Sequence, residues 1–104
     1  VLLRERLRER GAVPVGELPG LAGRRVRVAG LLVTAKTARV HKTGERMKFL
    51  TLEDETGLCE VTLFPRVYRQ YGRLLLTRGP YLVTGCVEDD HGAISLTAEK
   101  VEVV

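Results

Sequence analysis

The sequence contains no asparagine, no tryptophan and one glutamine in 104 residues. Loss of Asn and Gln, with arginine far outnumbering lysine, fits a thermophile; a GC-rich genome gives the same bias. Aromatic residues make up only 5% of the chain. The two cysteines, Cys59 and Cys86, both fall inside apolar strand patterns. That excludes a disulfide scaffold and predicts two buried free thiols in a reducing compartment. The two histidines, His41 and His91, sit at loop tips, so no Ser-His-Asp or Cys-His constellation can form. A P-loop, a GxGxxG turn and zinc-ligand spacing are all missing, so no catalytic residue, cofactor or metal is expected. No apolar run reaches the ~20 residues of a membrane span, and no signal-peptide pattern occurs. A cytoplasmic chain without a membrane partner is the resulting expectation. The chain opens on Val1 rather than methionine, which is expected of a piece of a longer protein.

What is present is charge, unevenly placed. The net charge is +4 with 29% charged residues. Lys36, Arg39, Lys42, Arg46 and Lys48 stand against Glu45 alone, and Arg66, Arg69, Arg73 and Arg78 form a second basic stretch. Residues 53–60 and 86–104 are acidic. A basic segment of this kind favours a polyanionic partner.

The length suits one domain with a single core. Residues 2–10 read as a helix, with Leu2, Leu3 and Leu7 on one face and Gly11 as its stop. Residues 12–23, rich in Pro and Gly, read as a linker. The domain boundary therefore separates a helix and linker over 1–23 from a strand-rich domain over 24–104. Residues 24–37 predict a first strand, in which the isolated Gly30 marks a bulge or sharp bend. A polar loop spans 38–46, with Gly44 expected to keep it flexible and its backbone N–H groups open to phosphate. Strands are predicted over 47–53 and 58–64, joined by the turn ending in Gly57. Pro65 then opens a helix whose apolar face is Val67, Tyr68, Tyr71 and Leu75. After Gly79-Pro80 come strands over 81–88 and 93–103, joined by Asp89-Asp90-His91-Gly92. Strand, loop, strand, turn, strand, helix and hairpin is the order of an all-β, five-stranded Greek-key barrel of the OB type, here preceded by a short helix.

Such barrels bind oligonucleotides on the face of strands 2 and 3, between the 1–2 and 4–5 loops. Strand alternation puts Leu50 and Leu52 inside, leaving Met47, Phe49, Thr51 and Glu53 outside. Val61 and Leu63 point in, and Glu60 and Thr62 point out. A single-strand binder needs base-stacking platforms and cations along the phosphates. Phe49 is the candidate platform, beside Thr51 and Thr62. Lys36, Arg39, His41, Lys42, Arg46 and Lys48 are the candidate cations. Tyr68 and Tyr71 are given no role. Glu53, Asp54, Glu55 and Glu60 alternate in direction, so they are not expected to converge on a metal. Asp54 with Thr56 reads as turn chemistry.

Several segments together resemble the OB-fold domain near the C-terminal end of the bacterial DNA polymerase III alpha subunit, the C-family replicative or error-prone polymerase. They are Val28-Ala29-Gly30, Lys42 through Met47, Phe49 through Gly57, Glu60-Val61, and Phe64-Pro65 with Tyr68. Arg4-Glu5-Arg6-Leu7 is similar to the helical connector before that domain. The resemblance implies a non-catalytic module that binds single-stranded DNA, with other polymerase domains and replisome subunits as partners. A positioning domain in which DNA contact is incidental stays open. So does an RNA-binding barrel similar to the anticodon-binding domain of class II aminoacyl-tRNA synthetases.

Overall fold

The computed structural model describes residues 2–104, with side chains from Glu5 onward. Helix α1 spans Leu2–Glu9, and strands β1 Arg25–Arg39, β2 Arg46–Asp54 and β3 Gly57–Leu63 come next. Helix α2, Pro65–Tyr71, precedes β4 Tyr81–Asp90 and β5 Ala93–Val103. The five strands close into a barrel in the order β1-β2-β3-β5-β4. The predicted OB architecture, with a helix between β3 and β4 and another at the start, is therefore observed.

The core is what the alternation of the strands dictates. Leu50, Leu52, Val61, Leu63, Val83, Val87 and Leu96 are buried within it. Tyr81 is also fully buried, and its hydroxyl lies 2.8 Å from the carbonyls of both Leu74 and Thr77, between which its one proton is shared. Pro65 opens α2 at a position where a missing N–H costs nothing. Val67 is buried, and Tyr68, Tyr71 and Leu75 pack against the core as predicted.

Residues 12–23 differ from the expected linker. Val15–Leu21 form a 3-10 helix, and Val15 and Leu18 are buried in the barrel core. The Pro and Gly content signalled turns correctly but concealed two apolar anchors. Gly11, at φ 83°, does stop α1: the N–H of Ala12 reaches the Leu7 carbonyl and that of Gly11 the Arg8 carbonyl, both at 2.9 Å. The packing of Leu2 and Leu3 lies outside the described residues. Cys59 is buried as expected, whereas Cys86 is only half-buried; both are free thiols.

Two irregularities set which side chains face outward. The bulge in β1 falls at Val33, where Leu32 pairs with Leu52 but Thr34 with Thr51. Gly30 is instead the residue at which β1 changes partner, pairing with Tyr81 of β4 before Leu31 pairs with Glu53 of β2. A β-carbon at Gly30 would stand 2.7 Å from the Glu53 carbonyl oxygen, so the strand crossing itself requires glycine. Glu99 is the extra residue in β5, between Thr84↔Lys100 and Gly85↔Ala98, and it moves the inner face from Leu96 and Ala98 to Val101. The last hairpin turns on two residues, His91 and Gly92, both at positive φ.

Candidate nucleic-acid interface

A bulge inverts the parity of everything after it. Because Val33 is extra, Lys36 is placed opposite Phe49, and Phe49 pairs in turn with Thr62. Thr62 adjoins Thr97 on β5, so Lys36, Phe49, Thr62 and Thr97 form one row across four strands. The next row is Thr34, Thr51, Glu60 and Ser95. Phe49 is 40% exposed while its neighbours Leu50 and Leu52 are buried, which is the face predicted for it. Met47 shares the parity of Phe49 but is buried, a departure that alternation alone does not foresee.

The second row is tied together by hydroxyls. Thr34 donates to Thr51 Oγ1 at 3.1 Å, and the Thr51 hydroxyl donates to the Glu60 carboxylate at 3.0 Å. Glu60 thus contributes a fixed negative charge beside Phe49. Leu31, Val33 and Leu58 are exposed on the neighbouring strands and give the surface an apolar margin.

The six predicted cations do not form one patch. Lys36 alone joins Phe49, Thr51 and Thr62 on the outer face. Arg39 and Arg46 pair across β1 and β2 with the opposite parity. Lys48 shares that parity: its Nζ donates to Thr37 Oγ1 at 3.0 Å and lies 5.7 Å from the centre of the Tyr68 ring. Its ammonium is therefore directed to the α2 side of the arm. His41 and Lys42 are exposed at the tip between the two faces.

The connection is also tighter than expected. Strand structure continues to Arg39 and resumes at Arg46. Gly44, at φ 73°, donates its N–H to the Val40 carbonyl at 2.8 Å, and the N–H of Val40 reaches the Glu45 carbonyl at 2.8 Å. Gly44 serves a closed turn, and its own N–H is occupied rather than open to phosphate. Sequence reasoning assigned no role to Tyr68 or Arg69, yet both face this arm. Arg69 pairs with the Glu45 carboxylate, and Tyr68 lies beneath Lys48. The alternation of β2 already turns Arg46 and Lys48 away from the face of Phe49, but that Tyr68 and Arg69 meet this side depends on how α2 packs, which no local pattern announces.

The acidic turn between β2 and β3 is structural. Asp54 Oδ1 accepts from the Thr56 N–H at 2.7 Å and from the Thr56 hydroxyl at 2.6 Å. Its Oδ2 accepts from the Val15 N–H at 2.8 Å, and Thr56 Oγ1 accepts from the Gly16 N–H at 2.9 Å. The turn thus caps the 3-10 helix as well as itself. Burial pushes the Asp54 carboxyl up, but hydrogen bonds from the Thr56 hydroxyl and the N–H groups of Val15, Thr56 and Gly57 outweigh it and hold the group below the usual carboxylate range. Among the described residues, no three His, Cys, Asp or Glu side chains converge as a metal site would require. No described helix is long and apolar enough to cross a membrane.

A closed five-stranded barrel with an exposed aromatic on β2 and a basic β1–β2 arm is the pattern of an oligonucleotide-binding fold. The chain belongs to the family of OB-fold nucleic acid binding domains, whose model matches residues 26–104. It is 37% identical over 105 residues to an error-prone DNA polymerase of Symbiobacterium thermophilum, covering 98% of this chain and 10% of that protein. It is 40% identical over 82 residues to the DNA polymerase III subunit alpha of Bacillus subtilis, covering 73% of this chain and 7% of that one. The resemblance to the polymerase III alpha subunit is thus borne out by relatives bearing those names. The chain spans about a tenth or less of their length. Among solved structures, asparaginyl-tRNA synthetase from Pyrococcus horikoshii superposes with a TM-score of 0.70 and 29% identity, covering 89% of this chain and 22% of that one.

Proposed function

We propose that this barrel is a single-stranded DNA-binding module of a bacterial replicative or error-prone DNA polymerase, non-catalytic in itself and working in the cytoplasm. The observation that carries the reading is the row Lys36–Phe49–Thr62, in which an exposed ring lies between a cation and a hydroxyl. A base stacked on Phe49 would gain about 1–3 kcal/mol, with an adjoining phosphate near Lys36. Lys42 and His41 at the arm tip extend the same electrostatic track. Glu60, fixed by Thr51, discourages phosphate from the centre of the face and leaves that position to a base. The partners implied are single-stranded DNA, the remaining domains of a polymerase chain and replisome subunits.

Titration of labelled oligo-dT at several salt concentrations tests this. Neutralising a few phosphates gives a negative log–log slope of a few units at most. Binding that is absent at high micromolar protein, or independent of salt, overturns it. A second reading, RNA binding, is favoured by the likeness to the asparaginyl-tRNA synthetase. DNA and RNA oligonucleotides of equal length and sequence separate the two, because RNA readout uses the 2′-hydroxyl.

A further inference from the structure

The β1–β2 arm is basic on both faces, and the outer-face reading uses only one of them. On the α2 side, Arg39, Gly44, Glu45, Arg46, Tyr68 and Arg69 line an open depression of about 400 Å³. Three guanidiniums there meet one carboxylate. Arg39 and Arg46 are directly opposed across the two strands, a relation in which like charges destabilise a sheet. Arg39 donates to the Gly44 carbonyl at 2.8 Å, which fixes its guanidinium over the turn. Glu45 is committed to Arg69. Among the described residues, no carboxylate pairs with Arg39 or Arg46. Lys48 belongs to the protein's own packing here, held by Thr37 and the Tyr68 ring. The result is a concave site with excess positive charge and planar donors suited to a phosphate.

We infer that this depression is a second phosphate subsite, formed by Arg39, Arg46 and Arg69, for a backbone phosphodiester of a strand that continues past the arm from the outer face. It rests on the single-strand reading above and extends it. The Glu45 carboxylate stands where that phosphodiester binds, holding Arg69 in place when the site is empty and giving it up when a strand arrives. Lys42 and His41, at the tip between the two faces, lie where the strand passes. The free long edge of β1 beyond Thr34, paired only with β2, leaves room for it to turn the corner.

The test compares oligo-dT of about four and about twelve nucleotides, lengths that bracket the footprint of one OB barrel. The 104-residue chain is measured beside Arg69→Ala, Glu45→Gln and Phe49→Ala over a range of salt. Arg69→Ala is expected to leave the short oligonucleotide unaffected, to weaken the long one several-fold and to lower its log–log salt slope by about 0.7. Glu45→Gln is expected to strengthen binding of the long oligonucleotide and not of the short one, a length dependence that the general loss of a negative charge would not give. If Arg69→Ala and Glu45→Gln leave the long oligonucleotide unchanged while Phe49→Ala weakens both lengths, the subsite is wrong and the outer-face reading survives. If the unmodified chain binds neither length, both are overturned together.

Discussion

The Asp54 carboxylate receives the backbone N–H of Val15 at 2.8 Å, 39 positions away in the chain. One side chain therefore closes the β2–β3 turn and anchors the segment that leads into the barrel. Asp54→Ala removes the acceptor for the N–H groups of Val15, Thr56 and Gly57, and is expected to cost about 1–2 kcal/mol, part of it offset by water at this half-buried site. The carboxyl is held below its ordinary 3.8 in the fold. Its contribution is thus complete above that value and is lost as pH falls through the folded pKa. Urea melts between pH 2 and 7 should show a flatter acid limb for Asp54→Asn than for the parent chain.

Phe49 and Lys42 separate stacking from charge. Phe49→Ala should weaken oligonucleotide binding by about 1–3 kcal/mol. It should barely move the thermal midpoint, because the ring is already 40% exposed. Lys42→Ala should instead lower the salt slope by about 0.7, evenly over sequences. A large fall in midpoint for Phe49→Ala would show that the ring supports the core rather than a base.

The thiols should report unfolding in sequence. Burial, with Glu60 and Asp54 nearby, pushes the Cys59 thiol up to about 12. The unfolded chain then loses its proton first, so Cys59 lowers stability as pH rises from about 9 towards the folded value. With a disulfide reagent near pH 8, Cys86 should react in the folded state and Cys59 only under denaturant. Equal rates for both would show that the barrel opens locally around β3.

Gly85 should be intolerant where Gly20 is not. A β-carbon at Gly85 would stand 2.3 Å from the Thr97 carbonyl oxygen, inside a paired strand. Gly20 has nothing within 4 Å. Gly85→Ala is expected to cost at least about 1–3 kcal/mol, and Gly20→Ala within about 0.5 kcal/mol of zero, by chemical denaturation.

The contrast between Phe49 and Arg39 shows what a sequence makes legible. Phe49 sits in a clean alternation with Leu50 and Leu52, so period-2 geometry alone gives its direction. Arg39 lies past the extra residue at Val33, so alternation counted from the buried Val28 puts it on the wrong face. β1 has two partners, β2 close by in the chain and β4 far from it, and no residue type in β1 marks where the extra residue falls. The same holds for Val15 and Leu18, whose apolar character was outweighed by Pro14, Gly16 and Pro19. Elements, turns and the core pattern are short-range properties. Which loop residues share a surface is set by register across the closed barrel.

The division of β1 between two neighbours also governs time. Its second half pairs with β2, close by in the chain, but its first half must wait for Tyr81–Cys86 of β4. Arg10 likewise meets Glu102 across 92 positions. Contacts of such separation place folding on the millisecond-to-second scale. The β1–β2–β3 meander that carries Phe49 can assemble early, with Leu50, Leu52, Val61 and Leu63 uncovered until the last hairpin docks. In a chain growing from its N-terminus, the proposed DNA-binding surface is therefore drawn before the wall that stabilises it exists.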